Sequence, residues 1–214
     1  MSSSASFLDP IVLPLLRGGC ILDVACGYGR WGCLMRTNYG EWGRSQPPVV
    51  DGLDAFAPNV EYVKKLGVYR NVWQAELPCE LPRGTYHTIL ASEVLEHLPL
   101  VDVEKALDEF EAAALERVVI TTPNWECLRG GSETFLGRNE FDHHLSYISA
   151  KRLRERGYRI YGAGFGNPRT LSVKFFVHAL RLFGVRDFSI FDSLSKKFPS
   201  LGHTIVAVKD QARQ

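Results

Sequence analysis

The run from Cys20 to Gly32, CILDVACGYGRWG, constrains this chain more than any other segment. Residues 21–24 read as a buried strand that carries one acid, Asp23. Gly27, Gly29 and Gly32 then read as a turn, and residues 30–38 as a helix. Glycines at that spacing let the backbone turn tightly and let a ligand approach main-chain N–H groups at a helix N-terminus. Strand, glycine turn and helix in that order build a nucleotide-cofactor pocket, and the open question is which cofactor.

Gly27-Tyr28-Gly29-Arg30-Trp31-Gly32 satisfies G-x-G-x-x-G, and Asp54 follows at about the spacing of the dinucleotide fingerprint. An NAD-dependent oxidoreductase is therefore one reading. Asp23 argues against it, because a carboxylate beside the turn would repel a pyrophosphate. The same carboxylate suits a ligand with an ammonium and a sulfonium at that end, as in S-adenosylmethionine. Asp23-x-Ala25-x-Gly27-x-Gly29 resembles the first motif of the class I S-adenosylmethionine-dependent methyltransferases, D/E-x-G-x-G-x-G, with Ala25 replacing the first glycine.

Strand and helix signals alternate along the rest of the chain, the pattern of a parallel sheet covered on both faces. Strands are expected at 49–53, 72–74, 87–91, 118–121, around Ile160 and at 204–208. Helices are expected at 58–66, opened by Pro58, and at 101–115, where Val103, Ala106, Leu107 and Phe110 recur at helical period. A further helix at 150–156 is capped by Ser149 and closed by Gly157. A short arm and a capping helix precede the first strand, and residues 40–48 read as a loop.

A second run, Ile89-Leu90-Ala91-Ser92-Glu93-Val94-Leu95-Glu96-His97-Leu98, resembles the fourth motif of small-molecule methyltransferases. Thr121-Thr122-Pro123-Asn124 and His144-Leu145-Ser146-Tyr147-Ile148-Ser149 strengthen the likeness. The resemblance implies an α/β, Rossmann-like doubly wound sheet of seven strands, mostly parallel with an antiparallel last strand. It implies one methyltransferase domain over 1–214, with a substrate-side loop at about 122–148 and a helical insertion at about 168–200. It places Asp23, Ala25, Gly27, Gly29, Asp54, Ala55, Ala75, Glu76 and Ser92 around S-adenosylmethionine, with Asp54 accepting both ribose hydroxyls. Glu93, His97 and His144 are the catalytic candidates, with His143 as an alternative to His144. A weaker similarity, to small-RNA 3′-end 2′-O-methyltransferases, implies Glu93, Glu96, His97 and His144 as ligands of a divalent metal. Helical spacing would put Glu93 and Glu96 on one face. Many metal-free relatives share the same string, so no metal is expected.

Composition narrows the class. The chain has 214 residues, of which 45% are hydrophobic, enough for one globular α/β unit. No apolar run approaches the ~18 residues of a membrane span. The N-terminus lacks a basic segment, so no signal peptide is expected. Five cysteines occur without a C-x-x-C pair, which points away from a zinc ribbon or disulfide framework and toward a reducing, cytoplasmic setting. Residues 1–110 hold 9 Lys and Arg against 14 Asp and Glu, whereas residues 111–214 hold 16 against 10. A basic patch at a substrate mouth would favour an anionic acceptor, although Arg152, Arg154 and Arg156 alternate as on a solvated face. In 171–191, Val173, Phe176, Val177, Leu180 and Phe183 form an apolar face expected to dock on the domain's own sheet. Interleaved basic residues keep a lipid-like acceptor or membrane contact open.

The favoured reading is methyl transfer to an oxygen, less readily a nitrogen, of a small molecule. No N-P-P-Y string follows the fourth strand, which disfavours base-amine methylation of DNA. Metal-assisted RNA 2′-O-methylation and a non-catalytic cofactor-binding protein remain alternatives. Nothing in the sequence fixes an oligomeric state.

Overall fold

Elementary patterning explains the sheet. The segments at 89–91 and 118–120 are short apolar runs rather than alternating ones, and 21–24 is apolar except for Asp23, as strands buried on both faces require. The computed structural model describes residues 4–16, 19–40 and 46–211. Residues 1–3 of the expected arm and 41–45 of the expected loop lie outside the described residues.

After α1 (Asp9–Val12), which is flanked by two short 3₁₀ turns, come β1 (Cys20–Val24), α2 (Arg30–Gly40), β2 (Val49–Asp54), α3 (Ala57–Leu66) and β3 (Val72–Gln74). Then follow β4 (Tyr86–Ser92), α4 (Leu100–Ala113), β5 (Ala114–Pro123), a hairpin of β6 (Ser132–Thr134) and β7 (Gly137–Asn139), and α5 (Ala150–Glu155). The chain ends with β8 (Arg159–Phe165), α6 (Leu171–Leu182), α7 (Asp192–Lys197) and β9 (Gly202–Asp210). Seven strands form one sheet in the order β3-β2-β1-β4-β5-β9-β8. Strands β1 to β5 pair in parallel, and β9 runs antiparallel between β5 and β8. The expected seven-strand, Rossmann-like sheet with an antiparallel last strand is the one observed.

Alternate side chains of β1 enter opposite cores. Leu22 and Val24 pack with Val103, Leu107 and Phe110 of α4, while Ile21 packs with Trp31 and Met35 of α2 and with Leu8 and Val12. Three expectations need correction. The helix expected to reach residue 115 stops at Ala113, because Ala114 already pairs with Tyr86 as β5 begins. The loop expected at 122–148 contains the β6–β7 hairpin. The 150–156 helix ends one residue early, with Arg156 as its C-cap, although Ser149 caps it through the Arg152 N–H as expected.

The order β3-β2-β1-β4-β5 puts the reversal of strand order between β1 and β4, which themselves run parallel. Ligands of open α/β sheets bind beyond the carboxyl ends of the strands at such a point. Ala25 follows β1 there, and Glu93 follows β4.

Candidate functional site

Two pockets open at those strand ends. The first, of about 360 Å³, lies beyond β1, β2 and β3 and is lined by Ala25, Asp54, Ala55, Ala75 and Glu76, with His97, Phe141 and His143 across it. The second, of about 330 Å³, is lined by Ser4, Phe7, Ser92, Trp125, Arg129, His144 and His203. Glu93 is the one residue common to the two linings among the described residues.

The glycine turn is held from both sides. Ala25, Gly27 and Gly29 have φ of 54°, 55° and 80°, so an alanine sits in the left-handed region where glycine would be unstrained. The Gly27 N–H donates to Asp54 Oδ2 at 2.8 Å, while Asp54 Oδ1 accepts from the Phe56 N–H and Asn59 Nδ2. An ionised carboxylate offers about four lone-pair sites, so these bonds leave room for one further donor. Gly32 is explained by contact: a Cβ there would lie 2.5 Å from the Tyr69 ring. The Tyr69 hydroxyl accepts from the Gly32 N–H and donates to Asp23 Oδ2 at 2.5 Å.

Glu93 is the other strained residue, with φ of 56°. Such backbone is retained where its surroundings over-determine it, and it clusters at functional sites. Here the Glu93 N–H bonds the Thr121 carbonyl at 2.9 Å, and the Thr121 hydroxyl donates to Glu93 Oε1 at 2.9 Å. The single Thr121 proton is thereby committed, so Ser92 donates to Thr121 at 2.9 Å and Ser4 donates to Ser92 at 3.0 Å. Burial pushes the Glu93 carboxyl up to about 7, against the opposing Thr121 bond.

Thr122 supports the neighbouring acid in the same way, donating to Glu96 Oε2 at 3.0 Å. The Leu145 and Ser146 N–H groups both bond the Glu96 carbonyl, clasping the 144–146 strip onto the turn. Burial, reinforced by Glu93, pushes Glu96 well above the ordinary carboxylate range. Burial, reinforced by His144, drives His97 down to about 3, and burial lowers His144 as well. Glu96 and His97 lie 3.9 Å apart, and burial disfavours the charged form of each. Neutral His97 donates Nδ1–H to the His143 carbonyl at 3.0 Å, which leaves Nε2 as a lone pair.

This geometry matches a known lineage. The methyltransferase domain family matches residues 4–160, most of the chain. The chain belongs to that family. An S-adenosylmethionine dependent methyltransferase from Mesorhizobium loti shares the fold, with a TM-score of 0.55 and 14% identity over 97% of this chain and 99% of that one. DhpI in complex with SAM and HEP gives a TM-score of 0.58 at 15% identity, over 98% and 89% of the two chains. Magnesium protoporphyrin IX methyltransferase from Synechocystis PCC 6803, with bound SAM, gives 0.53 at 12% identity, over 96% and 76%. No curated protein matches the sequence significantly.

Within the methyltransferase, Ala25, Asp54, Ala55, Ala75 and Glu76, the residues expected around the cofactor, line the first pocket together. Gly27 and Gly29 do not appear in its lining, and Ser92 lines the second pocket instead. Asp23 departs most from expectation. It is 1% exposed, bonded to Tyr69 and absent from that lining, because it sits on the face of β1 that enters the α2 core. Glu93 and Glu96 do not share a helical face, since only Leu95–His97 forms a 3₁₀ turn and Glu93 precedes it with a positive φ. Sequence reasoning missed Phe7, Trp125, Arg129 and His203, which reach the second pocket from distant segments and carry no local motif.

Proposed function

We propose that this methyltransferase uses S-adenosylmethionine to methylate an oxygen of a small acceptor, with Glu93 as general base. The observation that carries the reading is that Glu93 alone lines both pockets, with its carboxyl pushed to about 7 by burial. The first pocket suits the donor. Its left-handed turn admits close backbone approach, Asp54 keeps one acceptor site for a ribose hydroxyl, and Ala75 leaves space for an adenine ring. Asp54 would thus take one ribose hydroxyl without rearrangement. When bound, the donor supplies an electrophilic methyl on a sulfonium. The chain holds the acceptor in the second pocket in line with that methyl, where positioning contributes much of the rate. Glu93, its carboxyl raised toward neutrality by burial, removes the hydroxyl proton. Thr121 fixes its orientation.

Calorimetric titration with S-adenosylhomocysteine and, separately, with NAD tests the donor. The expected result is one micromolar site for the first ligand, weakened in Asp54→Ala, and no heat from NAD. Binding of NAD alone would restore the oxidoreductase reading, and silence with both would favour a non-catalytic role.

A second reading, metal-assisted transfer, is favoured by one observation. Ligand atoms of Glu96, His97 and His144 lie within 4.8 Å of one another, and Glu96 Oε1 and His97 Nε2 are buried without partners. The His97 Nδ1–H bond to a carbonyl is the outer-shell pattern of metal-binding imidazoles. Glu93 lies outside this set, so the ligands would number three and not four. Two imidazoles and a carboxylate suit manganese or zinc better than magnesium. Such an ion would polarise an acceptor oxygen. Manganese titration of wild type and Glu96→Gln checks this reading, which predicts tight binding lost in the variant; equal, weak binding by both would remove it.

A further inference from the structure

The expected apolar face of α6 accounts for only half of that helix. Val173 is buried, and Phe176 packs edge-on against Phe165 and Phe191. A second stripe, Leu171, Phe175, His178 and Leu182, points to solvent on the opposite side at spacings of four, three and four. Leu171, Phe175 and Leu182 are 66%, 67% and 75% exposed, and Phe183, expected in the docked face, is 85% exposed. Ile190, Leu194 and Phe198, in and around α7, are exposed apolar side chains as well. A helix apolar on both sides has only one side satisfied by its own domain.

The charges around this surface are of one sign. Residues 167–200 contain six Lys or Arg against two Asp. Arg169 is paired with Glu126, while Lys174, Arg181, Arg186, Lys196 and Lys197 have no acidic partner within ion-pair distance among the described residues. Elsewhere much of the basic excess is neutralised, although Arg154 and Lys65 have no acidic partner within ion-pair distance among the described residues. Arg152 and Arg156 of the α5 region are paired with Glu104, Asp108 and Glu111 of α4. The uncompensated charge is therefore concentrated at α6 and α7.

A groove of about 550 Å³ runs beneath the exposed stripe, lined by Leu171, Lys174, Phe175, His178 and Arg181. Its inner end is formed by Trp125 and His203, which also line the acceptor pocket. The apolar surface thus leads into the second pocket.

We propose that the α6–α7 face docks on an acidic phospholipid surface, so that the groove admits an amphipathic acceptor from that surface. Apolar side chains entering the headgroup boundary and cations facing anionic lipid both gain there. A second copy of this chain fits worse, because a two-fold interface would set the same uncompensated cations against each other. A nucleic acid would satisfy the cations but leave the apolar stripe in water. Docking does not depend on the methyl-transfer reading, and it is measured without turnover.

The test is co-flotation of the full chain with vesicles of phosphatidylcholine alone and of equimolar phosphatidylcholine and phosphatidylglycerol. Wild type is expected to float with the acidic vesicles at least tenfold more strongly than with the neutral ones, and to be released by salt. Lys196→Glu with Lys197→Glu, and separately Phe175→Ser with Leu182→Ser, are each expected to weaken flotation at least tenfold. All four positions are exposed, so thermal melting and S-adenosylhomocysteine binding are expected to stay unchanged. Failure of the wild type to float would overturn the proposal. So would equal binding to both vesicle types, or a dimer by sedimentation that the Phe175→Ser, Leu182→Ser variant dissolves. Loss of homocysteine-conjugate binding in the wild type would instead count against the donor reading and leave this one standing.

Discussion

The two pockets that meet at Glu93 are built by different means. The proposed donor pocket has one wall at the ends of adjacent parallel strands, Ala25 after β1, Asp54 and Ala55 at β2, and Ala75 after β3, with His97, Phe141 and His143 across it. The second pocket, proposed for the acceptor, is walled by large side chains from segments remote in sequence: Phe7, Trp125, Arg129 and His203. A ligand shared by a whole family can be held by main-chain geometry, which tolerates sequence drift. A ligand particular to one enzyme is held by side chains, which can change one at a time. Perturbations should therefore separate the pockets cleanly.

The largest separation is expected at Glu93. Glu93→Gln keeps the Thr121 bond but removes the base, so kcat should fall by roughly 10²- to 10⁴-fold while S-adenosylhomocysteine affinity stays within about threefold. An equal loss of affinity would mean that Glu93 belongs to the donor pocket only. Next, Trp125→Ala should raise the acceptor KM by roughly ten- to a hundredfold through lost aromatic contact, again with donor affinity unchanged. Steady-state kinetics on the first acceptor identified would read both effects.

Gly32→Ala addresses the donor side. Its Cβ meets the Tyr69 ring at 2.5 Å, so the ring must move and release Asp23 and the turn. A loss of roughly 1–3 kcal/mol in denaturant unfolding is expected, together with weaker cofactor binding and an unchanged acceptor pocket. The smallest effect concerns pH. Burial holds the Asp23 carboxyl up at about 7 from an ordinary 3.8, so between those values the folded state keeps a proton that the unfolded state releases. Its contribution is present below about pH 4 and is lost as pH rises through 7. Glu93, raised from 4.5 to about 7, acts in the same direction. Asp23→Asn should flatten part of this decline in a series of unfolding curves; an unchanged slope would show that Asp23 is already ionised in the folded protein.

The same contrast explains what the sequence made legible. The glycine turn follows from local spacing, because backbone conformation is written in neighbouring residues such as Gly27 and Gly29, whereas the seven-strand sheet and the proposed donor-side residues come from the family resemblance. The roles of Thr121 and Thr122 were visible only as a motif; their hydroxyls proved to hold Glu93 and Glu96. The place of Asp23 was not legible, because one residue of register on β1 decides between the pocket and the α2 core, where Asp23 bonds Tyr69. Trp125 and His203 left no signal, since their meeting depends on β5 and β9 pairing far apart in sequence. The outer stripe of α6 was hidden for another reason: periodicity reveals an apolar face but not which of two faces is covered.

The most direct test of the account is a crystal structure with S-adenosylhomocysteine bound. The account predicts the adenosine against Asp54, Ala55 and Ala75, and the sulfur at the Glu93 end of the same pocket, facing the space bounded by Trp125 and His203. Adenosine in the second pocket, or a sulfur turned away from Glu93, would contradict it.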